Sequence, residues 1–460
     1  MSTKPTDTKV LIIGAGLGGL TLAAICRRAN IPYIVLERTE KLSPAGAGIS
    51  LAPNALRVLD QLGVYSRVKE NGQRLNTMLV HYEKDQWRSL DFTGLESKFG
   101  YPVYSIERHS FHEYLYDAAG GPENVRLGSK VVDVVDEYGS PSVVVKVADG
   151  ATYTADVVVG ADGIRSVTRR ILAQNAGLKS INTIQFTGRV HMSGYTKPIP
   201  GLGKEHEGVG NWIFYDDAIL TTWPCKDNRQ WYIGVKRVPL GEKDPDRSVW
   251  EGTTKSMVND VYGRKYHPFG GESKTCAEII DNSERVIASN VFEEQDFPSM
   301  TSGRVALLGD AAHSMTSFFG QGACQAIEDA TELGNALLAH YSSPTPSAST
   351  LSTAFAEYSE IRGKRGKDLV SFSSIYAGIH VARLPYGLGP IARQILYKWL
   401  PIWCWFWALN WLYGYQPMIK EFPDFKAPLV KITPTVTEEV KSTEDEPISD
   451  EETVVGEKNP

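Results

Sequence analysis

Apolar positions in this chain change their period several times, and each change marks a different element. Residues 10–13 (VLII) are a continuous apolar run, as expected for a strand buried on both faces, and a glycine-rich turn follows at once. Residues 20–28 then repeat at helical spacing, and residues 33–36 (YIVL) give a second strand that ends in Glu37. A β-rich stretch occupies 131–147, and residues 156–160 (DVVVG) run into Ala161, Asp162 and Gly163. From residue 184 the rhythm alternates: 184–192, 210–214, 219–223 and 231–236 read as strands of an antiparallel sheet suited to covering one face of a ligand. Residues 304–308 (RVALL) return to a buried strand ending at Gly309 and Asp310, and a long helix opens at Gln321. The pattern predicts an α/β chain: a Rossmann-like nucleotide-binding domain interleaved with an antiparallel sheet domain, followed by a C-terminal helical region. The expected boundaries are 1–180 and 296–370 for the two parts of the nucleotide domain and 181–295 for the sheet. Residues 371–425 form the aromatic-rich helical region, and 426–460 an acidic tail expected to be disordered.

The first turn, Gly14-Ala15-Gly16-Leu17-Gly18-Gly19, has the strand-turn-helix setting that a dinucleotide fingerprint needs. Gly14 permits the tight turn, Gly16 lets a pyrophosphate approach the backbone, and Gly19 lets the helix pack on the strand. Glu37 follows at the distance where a carboxylate accepts from a ribose hydroxyl. The late turn adds the other half of one cofactor. Asp310 offers a carboxylate to a polyol such as ribitol, and Gly320-Gln321-Gly322 opens a helix whose amides, aimed at a flavin pyrimidine, favour the anion formed on reduction. For Asp162 and Gly163 two readings stand: a carboxylate and bare backbone beside the ligand, or a turn that caps the helix beginning near Arg165.

Composition fits a large enzyme. At 460 residues and 42% hydrophobic the chain can build two joined domains with a substantial core. Its five cysteines are scattered without zinc spacing, so they are expected to be reduced and no metal site is expected. The net charge is -6, and residues 430–460 carry nine acids against three lysines, which leaves the body near neutral and gives no footprint for nucleic acid. Nine polar residues precede the first strand, so the expectation is a cytoplasmic or membrane-associated, not secreted, protein.

Three segments together resemble the fingerprints of single-component FAD-dependent monooxygenases of the aromatic-hydroxylase type. They are Gly14 to Gly19 with Glu37; Gly160-Ala161-Asp162-Gly163; and Gly303 through Gly309-Asp310-Ala311-Ala312-His313 to Gly320-Gln321-Gly322 and Glu328-Asp329-Ala330. The likeness covers roughly residues 9–370, and the aromatic-rich C-terminal extension is similar to the fungal secondary-metabolite branch that epoxidises polyenes and prenylated polyketides. It implies FAD contacts from Glu37, Gly48, Arg108, Asp310 and Ala323 beside Gly14, Gly16, Gly19 and Gly322, with Asp162 assisting both FAD and NADPH. It further implies that NADPH, a transient co-substrate, reduces FAD and that O2 gives a C4a-hydroperoxyflavin whose distal oxygen passes to an electron-rich carbon. Tyr215 and Arg189 resemble a hydroxyl donor and an anchoring cation on the substrate side; packing roles are their alternative. His313 is expected to be structural. Ser317 stands where the family commonly has proline, which leaves that loop with a free φ and an added hydroxyl. Aromatic-ring hydroxylation, and a flavin-free prenyl-binding protein on the same fold, are the alternative functions.

The C-terminal stretch points to a lipophilic small-molecule substrate. Trp399, Trp403, Trp407, Trp411 and Tyr415 recur every fourth residue and form one drifting stripe on a helix starting near Pro401. About 14 residues reach about 21 Å, short of a hydrocarbon core of about 30 Å. Residues 395–415 are therefore either an interfacial anchor, with Arg393 and Lys398 meeting anionic headgroups, or a helix capping a substrate tunnel.

Overall fold

The computed structural model describes residues 6–44, 46–175, 177, 184–238, 250–294, 299–316, 320–381 and 385–422. Ser317 and the acidic tail lie outside the described residues.

Thr6–Ile13 pairs in parallel with Tyr33–Leu36 on one side and Thr152–Gly160 on the other, and Val305–Leu307 extends the same parallel core. Val10, Leu11, Ile12 and Val157 to Val159 are fully buried, which is why these segments read as unbroken apolar runs. The helices Leu17–Arg28 and Gln321–Tyr341 pack against each other over this sheet. Two glycines explain how closely. A Cβ on Gly18 would lie 2.7 Å from Leu308 Cδ1 and 3.0 Å from Ala326 Cβ, and one on Gly334 would lie 2.9 Å from Ile25. The two glycine-rich segments, nearly three hundred residues apart in sequence, thus meet at one point of the fold.

The second sheet has seven strands among the described residues, ordered Ser283–Glu294, Ile184–Thr196, Gln230–Arg237, Ala218–Pro224, Val209–Phe214, Thr77–Tyr82 and Asp85–Asp91. Its last two strands come from the first 180 residues, so the sheet crosses the expected boundary. The Val209–Phe214 and Thr77–Tyr82 pair is moreover parallel, a departure from a wholly antiparallel sheet. The alternation has a consequence: Trp212, Ile219, Thr221, Trp223, Trp231, Ile233 and Val235 face a cavity against the nucleotide half. Ile213, Tyr215, Leu220 and Tyr232 face the opposite way, into a second core closed by the helices Lys255–Tyr262 and Cys276–Asp281.

The 33-residue helix Ala348–His380 starts at a capping box in which Ser347 and Thr350 satisfy each other's backbone N–H. Beyond it lie Gly389–Gln394, a π-turn Ile395–Trp399 and the helix Ile402–Tyr413, with Pro401 at its N-cap as its fixed φ favours. The predicted aromatic stripe splits. Trp399, Trp403 and Trp407 are 61%, 69% and 72% exposed, whereas Trp411 packs edge-on to Phe372 and Tyr415 lies beneath the Arg365 guanidinium. Arg393 is not at the surface: it is 1% exposed and donates to the carbonyls of Tyr215 and His380, so of the two expected headgroup contacts only Lys398 is exposed. No described helix is long and apolar enough to cross a membrane.

Candidate functional site

A cavity of about 760 Å³ lies where the parallel sheet, the first helix, the Gln321–Tyr341 helix and the second sheet converge. Gly14, Gly16, Gly19, Glu37, Gly48, Arg108, Asp162, Asp310, Gly322 and Ala323 all line it; Tyr215 and Arg189 do not.

The glycines have separate jobs. Gly14 sits at φ +107°, and a Cβ there would fall 2.4 Å from the Ala161 carbonyl oxygen; one on Gly19 would fall 2.1 Å from the Gly14 carbonyl oxygen. Both are packing requirements. Gly16 and Gly322 have nothing within 4 Å of an added Cβ, so bare backbone at the start of each helix opens onto the cavity. Gly48 is a different case: its missing Cβ makes room for Trp231, whose Cδ1 would be 2.0 Å away. Gly320 is held left-handed at φ +62° with Ser50 Oγ in the space a Cβ would take, 2.0 Å away.

The charged groups are placed by these turns. Glu37 Oε2 accepts the Ala15 N–H at 2.8 Å and Oε1 accepts both the N–H and hydroxyl of Thr39, which fixes the carboxylate at the lip of the first turn. Arg108 begins the helix Arg108–Ala118; burial lowers its pKa, opposed by the Asp310 charge across the cavity. Asp310 opens onto the cavity deep in the fold. Burial raises its pKa, and His313, Arg108 and Arg169 pull it back down. Asp162 accepts from Ser166 Oγ at 2.5 Å and from the Val167 N–H at 2.8 Å, which is the capping geometry of the second reading; it lines the cavity as well.

Tyr215 stands on the far face of the second sheet. Its hydroxyl donates to the Tyr266 carbonyl at 2.7 Å and lies 3.4 Å from Cys276 Sγ, so side-chain parity turns it away from the cavity and packing is the role this geometry favours. Arg189 has the cavity-facing parity and is buried without lining the cavity, and its charge adds to the burial that lowers the pKa values of His191 and His380. His313 is buried with Nε2 2.7 Å from Asp329 Oδ2.

Sequence reasoning missed His112, whose Nε2 lies 2.6 Å from the Ala15 carbonyl oxygen, one helical turn beyond Arg108. It also missed the wall of Trp212, Trp223 and Trp231, which strand parity within the predicted strands contained. Trp223 and Trp231 stack with centroids 5.4 Å apart, and Trp231 Nε1 donates to Ser105 Oγ at 2.9 Å.

A cavity lined by open backbone at two helix starts, the carboxylates of Glu37 and Asp310 and the guanidinium of Arg108 has the donors and acceptors that a flavin dinucleotide needs. The description "FAD binding domain" matches residues 7–373. The chain belongs to the FAD binding domain family. The FAD-dependent monooxygenase pynG of Aspergillus niger is 51% identical over 430 residues, covering 90% of this chain and 98% of that protein. The FAD-dependent monooxygenase pytG of Aspergillus terreus is 53% identical over 290 residues, covering 63% and 87%. Among solved structures, HpxO of Klebsiella pneumoniae complexed with FAD and uric acid is similar at TM-score 0.70 and 22% identity, covering 84% of this chain and 92% of that one. CtdE in complex with FAD and a substrate is similar at TM-score 0.70 and 20% identity, covering 89% and 95%. The chain is a FAD-dependent monooxygenase, and it shares its fold with these FAD-bound structures.

Proposed function

We propose that this FAD-dependent monooxygenase uses NADPH and O2 to oxygenate a lipophilic polyene, polyketide or terpenoid intermediate of secondary metabolism, most simply by epoxidising a double bond. The observation that carries the reading is the wall opposite the dinucleotide side: Trp212, Ile219, Trp223, Trp231, Ile233 and Val235 present rings and hydrocarbon to the cavity. Behind Trp212 and Trp223, Leu75, Leu90, Phe92, Trp405, Phe406 and Leu409 enclose a second apolar space of about 30 Å³, so the wall is backed by hydrocarbon toward the C-terminal helix.

FAD, when bound, supplies the activation of O2; the chain's residues bind, orient and exclude water. Gly16 and Gly322 offer backbone N–H groups to the cofactor, and Arg108, Asp310, Glu37 and Asp162 hold its polar parts. Gly14 and Gly19 set the turn, and Ala323, which lines the cavity next to Gly322, would meet the cofactor at the start of the Gln321–Tyr341 helix. The tryptophan wall packs the substrate and keeps water from the reacting centre. Alkene epoxidation needs no base to ionise the substrate, which suits a wall so poor in ionisable groups.

The face bearing Ile391, Ile395, Trp399, Ile402, Trp403 and Trp407 is exposed, and in this reading it rests on a membrane surface from the cytosolic side, where lipophilic substrates partition. Purified protein that is yellow, and whose NADPH consumption under O2 rises with an added polyene and yields oxygenated product in preference to H2O2, is the expected result. Protein that takes up no FAD when supplied overturns the reading. Stimulation by simple phenols and not by polyenes replaces epoxidation with ring hydroxylation.

A further inference from the structure

Ala15 stands between Gly14 and Gly16, and a glycine on either side leaves the two peptide planes that meet at Ala15 little restrained by their own chain. Side chains from two other elements hold them. Glu37 Oε2 accepts the Ala15 N–H at 2.8 Å, which fixes the Gly14–Ala15 peptide, and His112 Nε2 lies 2.6 Å from the Ala15 carbonyl oxygen, which fixes the Ala15–Gly16 peptide. The Gly14 N–H is spent on the Leu36 carbonyl at 2.8 Å. Among the described residues the Gly16 N–H has no protein partner, so it is the first amide along the turn left for a cofactor.

A peptide is planar and trans, so its N–H points opposite to its carbonyl. The bond between His112 and the Ala15 carbonyl therefore sets where the Gly16 N–H points. A carbonyl only accepts, so Nε2 of His112 carries the hydrogen and donates. Burial lowers the pKa of this imidazole, opposed by the bond to Ala15, and the ring is uncharged at neutral pH. His112 lies one turn beyond Arg108 on the helix Arg108–Ala118, and both line the cavity, so one face of that helix carries a guanidinium and the pin on the turn. The start of the helix is moored to the second sheet: Glu107, its N-cap residue, pairs with Arg285 at 2.7 Å and accepts from Ser110 Oγ at 2.8 Å.

We propose that His112 is a positioning residue for the cofactor: by holding the Ala15 carbonyl it aims the Gly16 N–H at the pyrophosphate of FAD, and the affinity for FAD depends on that bond. The side chain acts through the turn, from the helix that also supplies Arg108, so a single rigid element sets two of the cofactor's polar contacts. The proposal rests on the reading that places the pyrophosphate at Gly16 and is independent of which substrate is oxygenated.

The test titrates FAD into the full-chain apoprotein, with dissociation constants read from quenching of flavin fluorescence and the pyrophosphate of bound FAD followed by phosphorus NMR. His112→Leu is expected to weaken FAD binding by about two- to tenfold, the worth of one net hydrogen bond, and to move the pyrophosphate resonances. His112→Gln, whose amide N–H replaces the Nε2 donor, restores most of the affinity and returns the resonances toward their wild-type positions. His112→Asn, one methylene shorter, stands in for His112→Leu should that variant fail to fold. Affinity that is unchanged in every variant, or that falls as far in His112→Gln as in the others in step with the apoprotein Tm, overturns the role of His112. Gly16→Ala is the reference: if it binds FAD as tightly as wild type, the placing of the pyrophosphate at this turn is what falls.

Discussion

Arg362 Nε lies 2.6 Å from Asp329 Oδ1, and neither side chain has any exposure to solvent. The other oxygen of Asp329 accepts the Gly309 N–H at 2.8 Å and faces His313. One carboxylate thus ties the Gln321–Tyr341 helix, the helix carrying Arg362 and the turn that presents Asp310. Beside it, Glu328 accepts from Asn54, Gln325, Arg362 and Arg365. A buried charge that loses its partner costs more than the pair was worth. Arg362→Met is therefore expected to destabilise by about 3–5 kcal/mol, read as a lower Tm with reduced FAD content. The exposed Lys364–Asp368 pair, one turn away, can be removed by Lys364→Ala without measurable loss.

The same cluster sets a pH dependence. Burial pushes the Asp329 carboxyl up, but the His313 and Arg362 charges outweigh it and hold the group well below the carboxylate range. Burial pushes His313 down, and Asp329 more than reverses this. A depressed acid stabilises the fold above its unfolded pKa of about 4 and loses that stabilisation as pH falls. A raised histidine stabilises below its unfolded pKa of about 6.5 and loses that as pH rises. Unfolding by urea across pH 3–9 should show both contributions intact in the window between, and Asp329→Asn should flatten both limbs.

Two glycine substitutions three residues apart should separate cofactor binding from folding. Gly16→Ala places a methyl in the open cavity and should weaken FAD binding by tenfold or more, about 1.4 kcal/mol, with the apoprotein Tm unchanged. Gly19→Ala drives a methyl into the Gly14 carbonyl, and overpacking of this kind costs about 1–3 kcal/mol. Thermal unfolding of apoprotein together with flavin titration distinguishes them; equal Tm values for the two variants would contradict the assignment.

Tyr215→Phe should lower stability by about 1 kcal/mol, the worth of its bond to the Tyr266 carbonyl, and leave kcat/KM intact. Trp212→Ala, on the opposite face of the same strand region, should raise KM and divert NADPH-derived reducing equivalents to H2O2.

Replacing Trp403 and Trp407 by serine should abolish sedimentation with liposomes of mixed zwitterionic and anionic lipid while leaving FAD content unchanged. Equal sedimentation of the double variant and wild type would remove the membrane role from this face.

What the sequence made legible follows from where one rule decides alone. Gly14, Gly16 and Gly19 have a local geometric reason, so their setting between a strand and a helix was readable, as was the carboxylate of Asp310 at a strand end. For Tyr215, read as a hydroxyl donor or a packing residue, parity decides the placement: its hydroxyl lies on the far face, and Trp212, three residues earlier, lies on the cavity side. Arg362 was invisible for another reason. Its role depends on the 33-residue helix packing on Gln321–Tyr341, and nothing within that helix's own sequence says which turn meets Glu328 and Asp329. Arg393 was read as a surface cation because its carbonyl partners, Tyr215 and His380, are distant in sequence.

The interleaving of the two sheets also governs how the molecule can be made. Thr6–Ile13 waits for Thr152–Gly160, which in turn waits for Val305–Leu307, and Thr77–Tyr82 finds its parallel partner only when Val209–Phe214 exists. As the chain leaves the ribosome, Thr6–Ile13, the strand before the first glycine turn, is finished long before its partner Thr152–Gly160, and its apolar edge must be held in solution meanwhile. The cofactor can therefore serve as a late fastener, joining segments that synthesis delivered at opposite ends of the process, and its supply during expression should govern the yield of native protein.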